Sequence, residues 1–396
     1  MPPNNVVRIG ISGTGFIARS LERLLAKWPD KYQVTTVLTR RDPACVSTFP
    51  EGILITRDTS TLVDNCDLVV ECSGTVYGAA RVARAVTDAG KPLVTMNAEF
   101  QLTLGSLFAR TGLVREAQGD QPGSLAALDE EARAMGFEPL VYASQKGFLN
   151  HNPSPEDMNY WARKQGISVL STVSFTDGTK VQIEQALVAN CLGSQILQEG
   201  LLGPSAPTLE EGGTLLAREA EKTGAPVADY VLQAGGKGEV FIIAKHDAPP
   251  DQLRYYKLGD GPYFLIGRNF HLGHFEIPLT LDRVLHGLPG PMTVSEDGPF
   301  SVAAIAKRDL PLGHKVSKAV GSFDLRGVAV RCADRPEHVP IGLLENCRLR
   351  RPVRAGDMIQ WGDIDLLDES AEAIVSQLAQ KRGAETSRQG EMRASS

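Results

Sequence analysis

Six consecutive residues near the amino terminus, Gly13-Thr14-Gly15-Phe16-Ile17-Ala18, carry the spacing G-x-G-x-x-A. Glycine at the first two positions lets a turn approach a phosphate, and a small third residue lets a helix pack closely on the strand before it. The chemistry this implies is the seating of a pyrophosphate on free N–H groups at a helix start, with Gly13, Thr14, Gly15, Phe16 and Ile17 as the contacting residues. A second pair lies further on. Arg40 and Arg41 follow a run, QVTTVL, that reads as a strand over residues 33–38. An NAD site usually places an acid near such a strand end, whereas arginine can pair with a 2′-phosphate, so NADP is preferred over NAD as cofactor.

Proton-transfer and substrate-binding candidates come from later in the chain. Lys146 follows an apolar run, PLVYAS, at the edge where open sheets bind ligands, and can act as general acid for a carbonyl becoming an alcohol. Asp120 and Gln121 precede a helical stretch, where Asp120 either caps the helix or contacts a hydroxylated substrate. Asp177 suits an N-cap, and Lys180 falls in the first turn after it. A lysine there opposes the helix dipole, so an anion should lie beside it, either substrate or Glu184 at the (i, i+4) position. Arg268 and His271 sit among aromatics and supply a carboxylate or phosphate clamp and a second proton-transfer group. His274 reads as a structural histidine.

The elements that must position these residues alternate between two periods. Residues 6–11 read as a buried strand and residues 16–25 continue at helical spacing. A further strand over 67–72 ends in Ser73-Gly74-Thr75, and another over 93–96 is closed by Asn97; Ser73, Gly74 and Asn97 are therefore candidate cofactor contacts. Strands alternating with helices predict an α/β fold, a Rossmann-type doubly wound parallel sheet. The expected organisation is a dinucleotide-binding domain over 1–150, an α+β substrate and oligomerisation domain over 151–298, and a small β-rich domain over 299–367. A capped amphipathic helix over 368–381 and a polar, disordered tail over 382–396 complete it.

Composition narrows the partners. The 396 residues carry a net charge of −6 with no basic block, which argues against nucleic acid. No apolar run reaches the ~18 residues of a membrane span, and no signal peptide is recognisable, so a cytoplasmic enzyme is expected. The six cysteines lack metal-ligand or disulfide spacing and read as buried thiols, with no metal site.

The runs VVECSG and AGKPLVTMNAE resemble the nucleotide domain of homoserine dehydrogenases. Thr95 and Asn97 match that family's Thr-Ala-Asn-Lys pattern, but Ala98 stands at the lysine position, so homoserine itself is not implied. The chain is more closely similar to homoserine dehydrogenase-like NAD(P)-binding oxidoreductases that carry a C-terminal SAF domain. The matching segments are Gly119-Asp120-Gln121-Pro122, the run from Ser174 to Lys180, and residues 255–280, where relatives have Tyr-Arg-Pro-Tyr-His in place of Gly267-Arg268-Asn269-Phe270-His271. The resemblance implies a homo-oligomeric oxidoreductase acting on a small hydroxylated, anionic substrate: a sugar acid, polyol derivative or hydroxy acid. In the SAF-like region, Lys307, Arg308, Arg350 and Arg351 would either draw in such an acid or merely cover the site. A lyase, aldolase or epimerase using bound cofactor for transient oxidation is the alternative, and a non-catalytic NAD(P) sensor the third.

Overall fold

The computed structural model describes residues 6–236, 238–290, 292, 295–296, 298–369, 371–378 and 380. Its first half is built on strands β1 (Val7–Ser12), β2 (Tyr32–Leu38), β3 (Leu54–Thr56), β4 (Leu68–Glu71), β5 (Leu93–Thr95) and β6 (Val114–Glu116). These form one parallel sheet in the order β3-β2-β1-β4-β5-β6. Helices α1 (Phe16–Leu25), α2 (Thr59–Asp64), α3 (Val76–Asp88) and α4 (Ala98–Leu104) link the strands. The chain runs outward from β1 to β3, returns to β4, and runs outward again. That reversal beside β1 opens a crevice beyond the carboxyl ends of the strands.

Helix α5 (Gln121–Ala134) then leads to β7 (Glu138–Lys146), which leaves the first sheet altogether. It pairs parallel with β8 (Val227–Leu232) and antiparallel with β9 (Val240–Lys245), and β9 pairs with β10 (Phe264–Arg268). The second sheet thus begins at Glu138, within the stretch expected to be dinucleotide-binding. Side-chain alternation explains why β7 belongs there. Val141 and Ala143 pack with Phe241 and Ile243 under a later helix, whereas Tyr142 packs with Ile242 and Ala244 on the opposite face.

Between β7 and β8 lie α6 (Pro155–Gln165), α7 (Val169–Thr176), α8 (Thr179–Leu192) and α9 (Leu209–Thr223). Leu209, Leu216, Ala217 and Ala220 of α9 cover one face of the second sheet. α8 is buried on all sides, from Thr179 through Ala189. Its far side meets β11 (Phe300–Ala306) and β13 (Leu325–Arg331) of the carboxyl-terminal region, which follow α10 (Pro250–Tyr255) and α11 (Ile277–Leu285). Two polar side chains of α8 make this burial possible by satisfying the edge of β13: Thr179 Oγ1 accepts from Gly327 N at 2.8 Å and Gln182 Oε1 from Ala329 N at 2.7 Å.

The carboxyl-terminal region is β-rich, as expected. β11 and β13 pair antiparallel, and β12 (Lys315–Lys318), β14 (Glu345–Leu349) and β15 (Ile364–Leu366) form a three-stranded sheet. Residues 371–378 are helical and tied to α3 by Arg84, whose Nη2 donates to Gln377 Oε1. The tail expected over 382–396 lies outside the described residues. Among the described residues no helix is long and apolar enough to cross a membrane.

Candidate active site

The turn between β1 and α1 borders a cavity of about 430 Å³ at the crevice. Gly13, Thr14, Gly15, Arg40, Arg41 and Ser73 line it, together with Ser12, Thr39, Arg57, Thr59, Thr75, Gly78 and Arg81. The two glycines are needed for different reasons. Gly13 has φ of 119°, and a Cβ there would lie 3.0 Å from the carbonyl oxygen of Cys72 at the end of β4. Its role is conformational. Gly15 also lines the cavity, and a Cβ there would meet nothing within 4 Å.

Four expected cofactor contacts do not line the cavity. Phe16 packs edge-on against His274 at 5.7 Å, and Ile17 approaches Gly273, so the first turn of α1 holds the histidine loop. Gly74 gives its carbonyl to Lys318. Asn97 caps α4, its Oδ1 accepting from Phe100 N, while its Nδ2 donates to Thr75 O. Arg57 was not foreseen because β3 is three residues long with its first residue exposed, so no strand pattern marks its position.

Beyond β5 and β6, a buried cluster of charge joins the two sheets. Lys180 Nζ lies 3.5 Å from both Glu99 Oε2 and Asp120 Oδ2 and 3.9 Å from Glu184 Oε1. Lys146, at the end of β7, lies 3.6 Å from Glu184 Oε2 and donates to Gln121 Oε1 at 3.3 Å. Glu116 completes the acids, its Oε2 accepting from Gln101 Nε2 at 2.8 Å. Asp120 takes the capping role considered for it, Oδ1 accepting from Gln121 N at the start of α5, while Oδ2 faces Lys180.

Four carboxyl groups around two lysines leave an excess of acid. Burial opposes the charge on Lys180, yet Asp120, Glu99, Glu184 and Glu116 outweigh it and hold the ammonium above its ordinary range. The surplus falls on two acids: burial pushes Glu184 up to about 7 and Glu116 well above the usual carboxylate range. His271 lies within electrostatic reach of Asp120 and Lys146; burial lowers its pKa, and its Nδ1 has no hydrogen-bond partner among the described residues. The loop bearing it is clamped to the cluster, since Gly273 N donates to Gly119 O at 2.9 Å and a Cβ on Gly119 would strike Gly273 O at 2.1 Å.

The raised Glu184 carboxyl has a consequence for stability. A carboxyl whose pKa is higher folded than unfolded stabilises the fold below its unfolded value of about 4.5, and this contribution is lost as pH rises through about 7. Wild-type protein should therefore lose stability relative to Glu184→Gln between pH 4.5 and 7, by up to the order of 3 kcal/mol. Denaturant midpoints of both proteins across that range test it; parallel curves would mean that folding leaves the Glu184 pKa unshifted.

The other expected site residues are engaged elsewhere. Asp177 is not in the cluster: its Oδ2 pairs with Lys307 Nζ at 2.6 Å, both side chains buried, and its Oδ1 accepts from Thr179 N. Burial raises its pKa against that pairing. Arg268 Nη1 pairs with Glu276 Oε2 at 3.2 Å and stacks on Phe270, while Glu276 Oε1 accepts from Leu272 N; the arginine thereby braces the histidine loop. Lys307, Arg308, Arg350 and Arg351 do not form an acid-attracting patch. They pair with Asp177, Asp324, Asp365 and Asp363 respectively.

Residues 119–277 match the family model described as the catalytic domain of the oxidoreductase DRL. The parallel sheet and its glycine turn give the first half a Rossmann-type fold, and the matched segment is similar to an oxidoreductase catalytic domain. Asp120, Lys146, Lys180, Glu184 and His271 all fall inside the matched segment. Among solved structures, the chain is similar to a homoserine dehydrogenase from Thiobacillus denitrificans, at 14% identity over 89% of this chain and 98% of that one, with a TM-score of 0.45. It is also similar to a probable dehydrogenase from Thermotoga maritima, at 15% identity over 73% of this chain and 91% of that one, with a TM-score of 0.42. Curated protein sequences yield no match.

Proposed function

We propose that this chain is an NAD(P)-dependent oxidoreductase, preferring NADP, that transfers a hydride between nicotinamide and a small hydroxylated substrate. The observation that carries the reading is continuity along the carboxyl edge of the first sheet. Arginines stand at one end, the glycine turn in the middle, and the Lys146–Glu184–Lys180 cluster at the other. The residues suit a dinucleotide, since Gly13 and Gly15 line the cavity at the start of α1 and a Cβ on Gly13 would crowd the Cys72 carbonyl. Gly13 to Gly15 would hold the pyrophosphate, and Arg40, Arg41 and Arg57 the 2′-phosphate.

The bound nicotinamide supplies or takes the hydride; the protein has to hold the substrate carbon and move one proton. Lys146 exchanges that proton with the substrate oxygen. Glu184, with its carboxyl near 7, stands 3.6 Å behind the ammonium as the group that shares the proton near neutral pH. His271, with its unpartnered Nδ1, is the second proton-transfer group. Because Lys180 already faces three carboxylates, the site favours substrate hydroxyls over a substrate carboxylate at that end, which supports a polyol or sugar derivative.

Calorimetric titration of wild type and Arg57→Ala with NADP⁺ and NAD⁺ tests the cofactor. NADP⁺ should bind more tightly to wild type, and Arg57→Ala should weaken it by about 10-fold or more with NAD⁺ unchanged, as befits a charge-assisted bond to phosphate. Tighter binding of NAD⁺ would reverse the preference. Absence of binding by either would remove the oxidoreductase reading.

A further inference from the structure

Along the carboxyl edge of the first sheet, from β3 to β6, the loops present Arg57, Arg40 and Arg41, the glycine turn, Ser73 to Thr75, Glu99 and Asp120 in that order. Between the glycine turn and the Lys180 cluster, the turn after β4 offers only small neutral side chains. A charged group reaches this stretch from the carboxyl-terminal region instead. Glu345, the first residue of β14, places Oε1 3.5 Å from the amide nitrogen of Val76, where α3 begins, and 3.9 Å from Lys318 Nζ. Lys318 in turn donates to the carbonyl of Gly74 at 2.5 Å.

The surrounding contacts hold this arrangement in place. Tyr77 donates its hydroxyl to Leu343 O at 2.9 Å, and Gly342 packs so closely that a Cβ there would lie 2.4 Å from Thr103 Oγ1. Asn346, next to the glutamate, holds φ of 51°, and its carbonyl accepts from Leu367 N. Burial raises the pKa of the Glu345 carboxyl, and the group lies within electrostatic reach of both Arg40 and Glu99. Its side chain is 16% exposed, and Oε2 makes no hydrogen bond among the described residues.

A nicotinamide dinucleotide carries two riboses, one on each side of its pyrophosphate. With the phosphate-bearing ribose at the arginines and the pyrophosphate at the glycine turn, the second ribose falls one step further along the same edge, beside Ser73 to Thr75. A carboxylate is suited to accept hydrogen bonds from the vicinal hydroxyls of a ribose. We propose that Glu345 is the ligand of the nicotinamide-side ribose, so that the carboxyl-terminal region completes the cofactor site rather than only covering it. This rests on the dinucleotide reading above. Lys318, 3.9 Å away, offsets part of the burial that raises the Glu345 carboxyl, while its bond to Gly74 holds the turn in place.

Calorimetry on the full chain separates the alternatives with three probes: NADP⁺, 2′-phospho-ADP-ribose, which keeps the second ribose without nicotinamide, and adenosine 2′,5′-bisphosphate, which lacks both. Glu345→Ala should weaken the first two by about 10-fold or more and leave the third unchanged. Glu345→Gln, which preserves the shape and an acceptor for Val76 N, should weaken them less. Melting curves of both variants, with and without adenosine 2′,5′-bisphosphate, report folding independently. Equal loss of all three probes would overturn the proposal by making Glu345 a prop for the turn. Unchanged binding of all three, or loss of NADP⁺ alone, would also overturn it while leaving the cofactor reading intact. Failure of wild type to bind any probe would remove the cofactor reading itself.

Discussion

Replacing Lys146 by alanine is expected to lower kcat by about 10²–10⁴-fold, the usual contribution of a positioned acid–base group, with little change in melting temperature. The second part of that expectation comes from Glu184. Removing the partner of a buried ion pair is ordinarily costly because a charge is left stranded. Here the remaining carboxyl already titrates at about 7 and Lys180 still faces its other oxygen, so it can take up a proton instead. The variant should therefore be about as stable as wild type below pH 7 and progressively less stable above it. Its kcat–pH profile should lose the limb that the Lys146–Glu184 pair provides, while binding of NADP⁺ remains near wild type. Full activity in Lys146→Ala would remove the proton-transfer role given to Lys146.

Lys307→Met is expected to cost about 3–5 kcal/mol, the range for breaking a buried ion pair from one side. Asp177 is fully buried and Lys307 nearly so, and their contact is 2.6 Å. Unlike Glu184, Asp177 has its other oxygen fixed by the amide of Thr179, so loss of the lysine leaves a carboxylate with one of its two partners missing. The melting temperature should fall by the order of 10 °C. Asp177→Asn combined with Lys307→Met should recover more than half of that loss, because neither charge is then stranded. At a temperature where the single variant is folded, its kcat should be close to wild type, since the pair joins α8 to the carboxyl-terminal region and not to Lys146. A collapse of kcat with an unchanged melting curve would return Asp177 to the catalytic group.

The contrast between these two lysines shows how far local pattern reaches. Lys146 is legible in the sequence because the largely apolar stretch PLVYA before it marks a strand, and a lysine at the end of such a strand has a defined place at a sheet edge. Lys307 and Asp177 were both noticed, but for separate tasks, because nothing local links residues 130 positions apart. Glu184 was seen only as a neighbour of Lys180 on one helical face. Its contact with Lys146 depends on α8 being buried between the second sheet and β11–β13, which its residue pattern does not announce. A helix carrying Lys180, Gln182, Glu184 and Gln185 reads as half-exposed, yet every one of these residues is buried.

By itself, the sequence determined the glycine turn, the helix that follows it at Phe16–Leu25, the strand alternation that makes a parallel sheet, and the β-rich character of the carboxyl-terminal region. These depend on periodicity and on backbone freedom at single residues, which are local properties. Only the tertiary structure decided that β7 opens a second sheet, that Asp177 and the four basic residues near the carboxyl terminus are already paired, and that Glu99, Glu116 and Glu184 gather around Lys180. The physical reason is the same for each. A charge finds its partner by where the backbone carries it, and its protonation is set by how much water that place excludes.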